Sequence, residues 1–180
     1  MLGLIVTIAI VVLSSLLLVG MAVSYIRTGV PTIASARAAQ AQVAAELHAA
    51  GAKKIYELGS GTGGFVFRLA KENPGGSVTG IEISPLPLLF AQVWRLFQPV
   101  RQRVNFIWAN FIKVDLSKAD AVAFYLMPGA NRRLQPKLLR ELRSGALVAT
   151  IAFSMPGWQP TKVLMAPNFG KTRTYIYRIP

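Results

Sequence analysis

The sequence predicts an α/β protein: a doubly wound, mostly parallel seven-stranded sheet that ends in an antiparallel hairpin, preceded by an N-terminal transmembrane helix. Three observations point there. Short apolar runs alternate with helical stretches from Lys54 onward, and a glycine-rich turn links the first such run to the first such helix. The last two strand-like runs lie too close together for a helical crossover, so they form a hairpin. Ahead of all this stands an uncharged stretch long enough to cross a bilayer.

That stretch runs from Leu2 to Ile26, and at about 1.5 Å per residue it covers a hydrocarbon core of roughly 30 Å. No Lys or Arg precedes it, and the small-residue cleavage signal around Gly20-Met21-Ala22 is poor, which favours an uncleaved anchor over a signal peptide. The nearby cations, Arg27, Arg37, Lys53 and Lys54, all follow it, so the positive-inside rule puts the C-terminal domain on the cytoplasmic side. Residues 1–29 are thus the expected anchor and residues 30–180 a single domain.

Within the domain, Thr32 to Ala50 is Ala- and Gln-rich with apolar recurrence at Val43, Leu47 and Ala50, a helix stopped by Gly51. Lys54 to Leu58 reads as a buried strand and Phe65 to Glu72 as a helix, broken by Asn73-Pro74-Gly75-Gly76. Ser77 to Ile83 is the second strand, Leu86 to Phe97 a helix opened by Pro85 and Pro87, and Val104 to Trp108 the third strand. Ala121 to Leu126 is a continuously apolar fourth strand, Leu134 to Arg143 a basic amphipathic helix, and Ala146 to Phe153 the fifth strand. Lys162 to Met165 and Thr172 to Arg178 flank a Pro-Asn-Phe-Gly turn, so one of them is antiparallel to its neighbours.

A net charge of +13, from 20 Lys and Arg against 7 acids, draws the chain to anionic surfaces. The cations are scattered over helices, with no aromatic-interleaved run of the kind that stacks bases, so membrane lipid is the expected partner and nucleic acid is not. The absence of cysteine excludes disulfides, metal-thiolate sites and thiol nucleophiles.

Gly59, Gly61 and Gly64 satisfy G-x-G-x-x-G, and Glu82 stands at the end of the next strand, where a carboxylate accepts from vicinal ribose hydroxyls. Any adenosine-containing cofactor can use such a turn, because Gly59 permits the sharp exit from the strand while Gly61 and Gly63 expose bare backbone. Glu57 shifts the balance. A carboxylate there suits an ammonium group, as in S-adenosylmethionine, and repels a pyrophosphate, as in NAD, although it also fits a residue capping the turn's own amides.

In the stretches Val30-Pro31-Thr32, Glu57-Leu58-Gly59-Ser60-Gly61, Gly80-Ile81-Glu82-Ile83-Ser84-Pro85, Val114-Asp115-Leu116-Ser117 and Ala152-Phe153-Ser154-Met155-Pro156-Gly157-Trp158 the chain resembles class I S-adenosylmethionine-dependent methyltransferases. Over Val30 to Pro160 it is similar to the membrane-anchored protein-lysine methyltransferases, whose mitochondrial members modify the adenine nucleotide carrier and the c subunit of ATP synthase. The resemblance implies that Glu57, Gly59, Gly61 and Gly63 line the methionine end of the cofactor, that Glu82 binds its ribose, and that Asn110 and Phe111 flank its adenine. It also implies substrate contacts at Pro31 and Thr32. The family usually has an acid where Asn110 stands and an Asp-Gly-Arg continuation where Thr62-Gly63-Gly64 stands, and both departures bear on adenine affinity and substrate-side charge.

Methyl transfer to a lysine needs an uncharged amine held in line with the methyl group, so the polar side chains of interest are Asp120, at the mouth of the fourth strand, and Tyr125. Asp120 fits a strand-initiating turn equally well, and Trp158 fits either an aromatic wall for the acceptor or a cover for the sheet edge. The expected function is methylation of a lysine in an integral membrane protein. Methylation of a lipid-soluble small molecule and a non-enzymatic nucleotide-binding membrane module are the alternatives.

Overall fold

The computed structural model describes residues 3–4, 6–8, 11–12, 14–15, 37–166 and 172–180. It divides into two units, Met1–Ile33 and Ala34–Pro180. In the first, the described residues are helical, with the Thr7 hydroxyl donating to the Gly3 carbonyl. They correct the expectation of a membrane span and of a tethered, cytoplasmic-side domain: among the described residues no helix is long and apolar enough to cross a membrane. Composition from Leu2 to Ile26 is permissive, but the described helical positions between Gly3 and Ser15 are fewer than the roughly 20 apolar residues that a span requires. The remainder of that stretch, with Pro31 and Thr32, lies outside the described residues.

In the second unit, α1 (Arg37–Ala49) buries Ala39, Val43, Ala44 and Leu47 and stops at Gly51, whose φ of 73° is the left-handed cap expected there. The strand β1 (Lys54–Leu58) leads through the glycine turn into α2 (Gly64–Glu72), and β2 (Ser77–Glu82) into α3 (Pro85–Leu96), which starts on a proline as a helix tolerates. Then come β3 (Val104–Trp108), β4 (Ala121–Phe124), α4 (Pro128–Glu141), β5 (Leu147–Ile151), β6 (Lys162–Met165) and β7 (Arg173–Arg178).

The seven strands are ordered β3-β2-β1-β4-β5-β7-β6. The first five run parallel, whereas β7 pairs antiparallel with both β5 and β6. The expected hairpin is therefore present, with β7 wedged between its predecessors; the turn residues 167–171 lie outside the described set. Ala121, Ala123, Ala149 and Ile176 join the main core with α1, α2 and α3. Their alternates Val122, Phe124, Val148 and Tyr177 turn to the opposite face, where Leu134 and Leu138 of α4 are buried. The helix α4 begins six residues before the expected Leu134 because Pro128 occupies its first turn and Pro136 is carried on its exposed side.

Candidate functional site

The order of strands reverses between β1 and β4, which run parallel from opposite halves of the sheet, and in doubly wound sheets the ligand crevice lies outside the C-terminal ends of the strands at such a switch point. In the turn leaving β1, Gly59, Gly61 and Gly63 hold φ of 77°, 53° and 84°. The Gly59 and Ser60 amides both donate to the Ile81 carbonyl, at 2.9 and 3.0 Å, which folds the turn over the end of β2. At Gly63 a Cβ would lie 2.6 Å from Phe106 Cζ, so only glycine fits.

Two carboxylates meet at this turn. Glu82 is buried at the end of β2; its Oε2 accepts from the Gly61 amide and its Oε1 from the Ser84 amide, both at 2.8 Å. It thus braces the glycine turn against the start of α3, and each oxygen keeps a lone pair for a ligand hydroxyl. Glu57 is 4% exposed, and its Oε2 has no hydrogen-bond partner. Burial, aided by the charge of Glu82, pushes its pKa up to about 8. The Ser60 hydroxyl beside it is also buried and without a partner. Two orphaned acceptors at a glycine turn fit a ligand that brings its own donors, such as the ammonium and hydroxyls of an amino-acid-bearing nucleoside.

Further along the same edge, the indole N–H of Trp108, at the last position of β3, donates to the Ile83 carbonyl at 2.9 Å. Trp108 and Ile83 are both exposed and offer apolar surface where an adenine ring would lie; sequence reasoning missed them as site residues, although register alone carries the ends of parallel strands to one crevice. Asn110 caps the short turn Phe111–Lys113, its Oδ1 accepting from the Ile112 amide at 3.0 Å, and Phe111 follows half-buried. Tyr125 leaves β4 at this edge with its ring stacked on Phe153, centroids 6.2 Å apart. Asn131 in the first turn of α4, also missed, is fully buried and donates to the Phe153 and Ser154 carbonyls.

Asp120 is not brought to the crevice. It precedes a strand parallel to β1, so it lies at the opposite edge, where Oδ2 accepts from the Lys53 and Lys54 amides at 2.8 Å and Oδ1 pairs with Arg143. Its role is to pin the start of β4 to the start of β1, as a strand-initiating residue does. Trp158 packs edge-on against Tyr177, centroids 5.6 Å apart, in a shallow hollow with Leu139, Arg178 and Pro180, and so covers the sheet on the α4 side.

Residues 57–162 match the family described as the ANTKMT methyltransferase domain. A protein-lysine N-methyltransferase of Saccharolobus islandicus (strain REY15A) is 31% identical over 126 residues, 69% of this chain and 78% of that protein. An adenine nucleotide translocase lysine N-methyltransferase of Mus musculus is 30% identical over 127 residues, 70% of this chain, which spans only 53% of the mouse protein. Among solved structures, an RNA methyltransferase from Salinibacter ruber in complex with S-adenosyl-L-homocysteine superposes with a TM-score of 0.73 at 28% identity, covering 82% of this chain and 94% of that one.

Proposed function

Since the chain belongs to the ANTKMT methyltransferase domain family and is an S-adenosylmethionine-dependent methyltransferase, we propose that it methylates the ε-amine of lysine in a membrane-embedded protein. The observation that carries the cofactor's placement is the orphaned carboxylate of Glu57, buried beside a glycine turn and lacking only a cationic donor. Glu57 and Ser60 receive the amino-acid end, Glu82 the ribose hydroxyls, and Ile83, Trp108, Asn110 and Phe111 the adenine. S-adenosylmethionine, when bound, supplies a methyl group already activated by its sulfonium.

The chain's own residues then have to position an uncharged amine, a task of orientation and drying more than of covalent chemistry. The stacked pair of Tyr125 and Phe153 offers an apolar wall for the lysine stem at the crevice. Such a surface disfavours the ammonium form and lets the proton leave to solvent before attack. The names of the relatives support lysine as acceptor, and the mouse relative's named target, a translocase, supports a membrane protein.

Incubating the full chain with isotopically labelled S-adenosylmethionine and native membranes tests this. Label is expected on a lysine of an integral membrane protein; label confined to the lipid extract or to RNA overturns the reading.

A further inference from the structure

The helix α3 buries only Pro87, Leu88 and Ala91. Leu89, Phe90, Val93, Trp94, Leu96 and the capping Phe97 are exposed, Phe97 by 75%. Positions 89, 90, 93, 94 and 97 fall on one helical face, and a contiguous apolar surface of this kind marks an interaction site in a folded protein. The surface continues towards the crevice, because exposed Ile83 stands just before Ser84, the N-cap of the helix, and its carbonyl holds the Trp108 indole.

Charge frames the patch. From Ile83 to Val114 the sequence has no Asp or Glu, but has Arg95, Arg101, Arg103 and Lys113. Arg103 is spent on the Ala70, Asn73 and Gly76 carbonyls, and Arg95 is bound to the Val104 carbonyl. Arg101 and Lys113 are exposed, Arg101 holding only a long contact of 3.4 Å to the Leu96 carbonyl at the end of α3, and can meet an anion. A face of Trp, Phe and Leu with cations beside it has the composition of helices that lie in the lipid headgroup layer. A second copy of the same face would bring like charges together.

We propose that α3 is a peripheral docking surface for an anionic lipid bilayer, with Phe90, Trp94 and Phe97 immersed and Arg101 and Lys113 at the phosphates. The docked helix sets the cofactor crevice beside the membrane surface, within reach of a lysine at headgroup level. The inference goes beyond the assignment of the acceptor and does not depend on it.

Having no cysteine, the full chain accepts a single environment-sensitive NBD label at Phe97→Cys, with Gln159→Cys, exposed on the α4 side, as control. With phosphatidylglycerol/phosphatidylcholine vesicles the probe at position 97 is expected to shift to the blue and be quenched by nitroxide lipid, while that at 159 stays aqueous. The vesicle concentration at the midpoint is expected to be at least about tenfold lower than with phosphatidylcholine alone, as two cations near a charged surface provide. A probe at 97 that stays aqueous while the chain floats with the vesicles overturns the proposal, as does one already buried before vesicles are added. Neither readout requires methyl transfer, so its failure is distinct from failure of the lysine assignment.

Discussion

A carboxyl group with a pKa of about 8 changes charge within the range where enzymes work, and Glu57 is such a group. Its folded value lies above the ordinary 4.5 of a glutamate, so its contribution to stability is full below about pH 4.5 and is lost as pH climbs through about 8. An arriving ammonium favours the carboxylate, so cofactor binding is expected to release a proton near neutrality and to tighten as pH rises towards 8. Calorimetry in buffers of different ionisation enthalpy measures that proton, and Glu57→Gln is expected to abolish it. For Glu82, substitution by Ala is expected to weaken S-adenosylmethionine binding by about 1–3 kcal/mol, the range for a lost charged hydrogen bond, as titration calorimetry reads. The Gly61 and Ser84 amides that Glu82 holds would be freed as well, so the unfolding midpoint of Glu82→Ala falls too.

Among elements, those bounded by unambiguous punctuation were legible in the sequence: β1, β3 and β6 have their expected limits. The start of α4 was not, because Pro128 and Gly129 have the composition of a turn although Pro128 begins the helix. Spacing drew attention to Glu57, the glycines and Glu82, and the structure gathers them at the turn that leaves β1. Asp120 was misplaced for a topological reason: a residue just before a parallel strand belongs to the edge away from the crevice. Asp120→Ala is accordingly expected to cost about 1–3 kcal/mol in chemical denaturation by stranding the Lys53 and Lys54 amides, with cofactor affinity unchanged. At the end of β5, Ala152 holds a φ of 67°, which costs a residue with a Cβ about 1–2 kcal/mol. Ala152→Gly is expected to recover about 1 kcal/mol of that, seen as a higher denaturation midpoint.

For the whole molecule, a ligand that binds only the folded chain raises its stability by mass action. S-adenosylmethionine at one hundred times its dissociation constant is expected to add about 2.7 kcal/mol, observed as a higher unfolding temperature, and NAD to add nothing. The charge of +13 made an anionic partner an expectation from composition alone, but the place where cations flank exposed aromatic residues emerged only once α3 had a buried side and an open one. The strand order carries a consequence for synthesis on the ribosome. Because β7 lies between β5 and β6, β6 emerges before its one partner strand among the described residues, and the sheet stays interrupted until Arg178 has cleared the exit tunnel. Until then the nascent chain presents an unpaired edge on β5, so the interval before β7 emerges is when it is most open to chaperones and to mispairing.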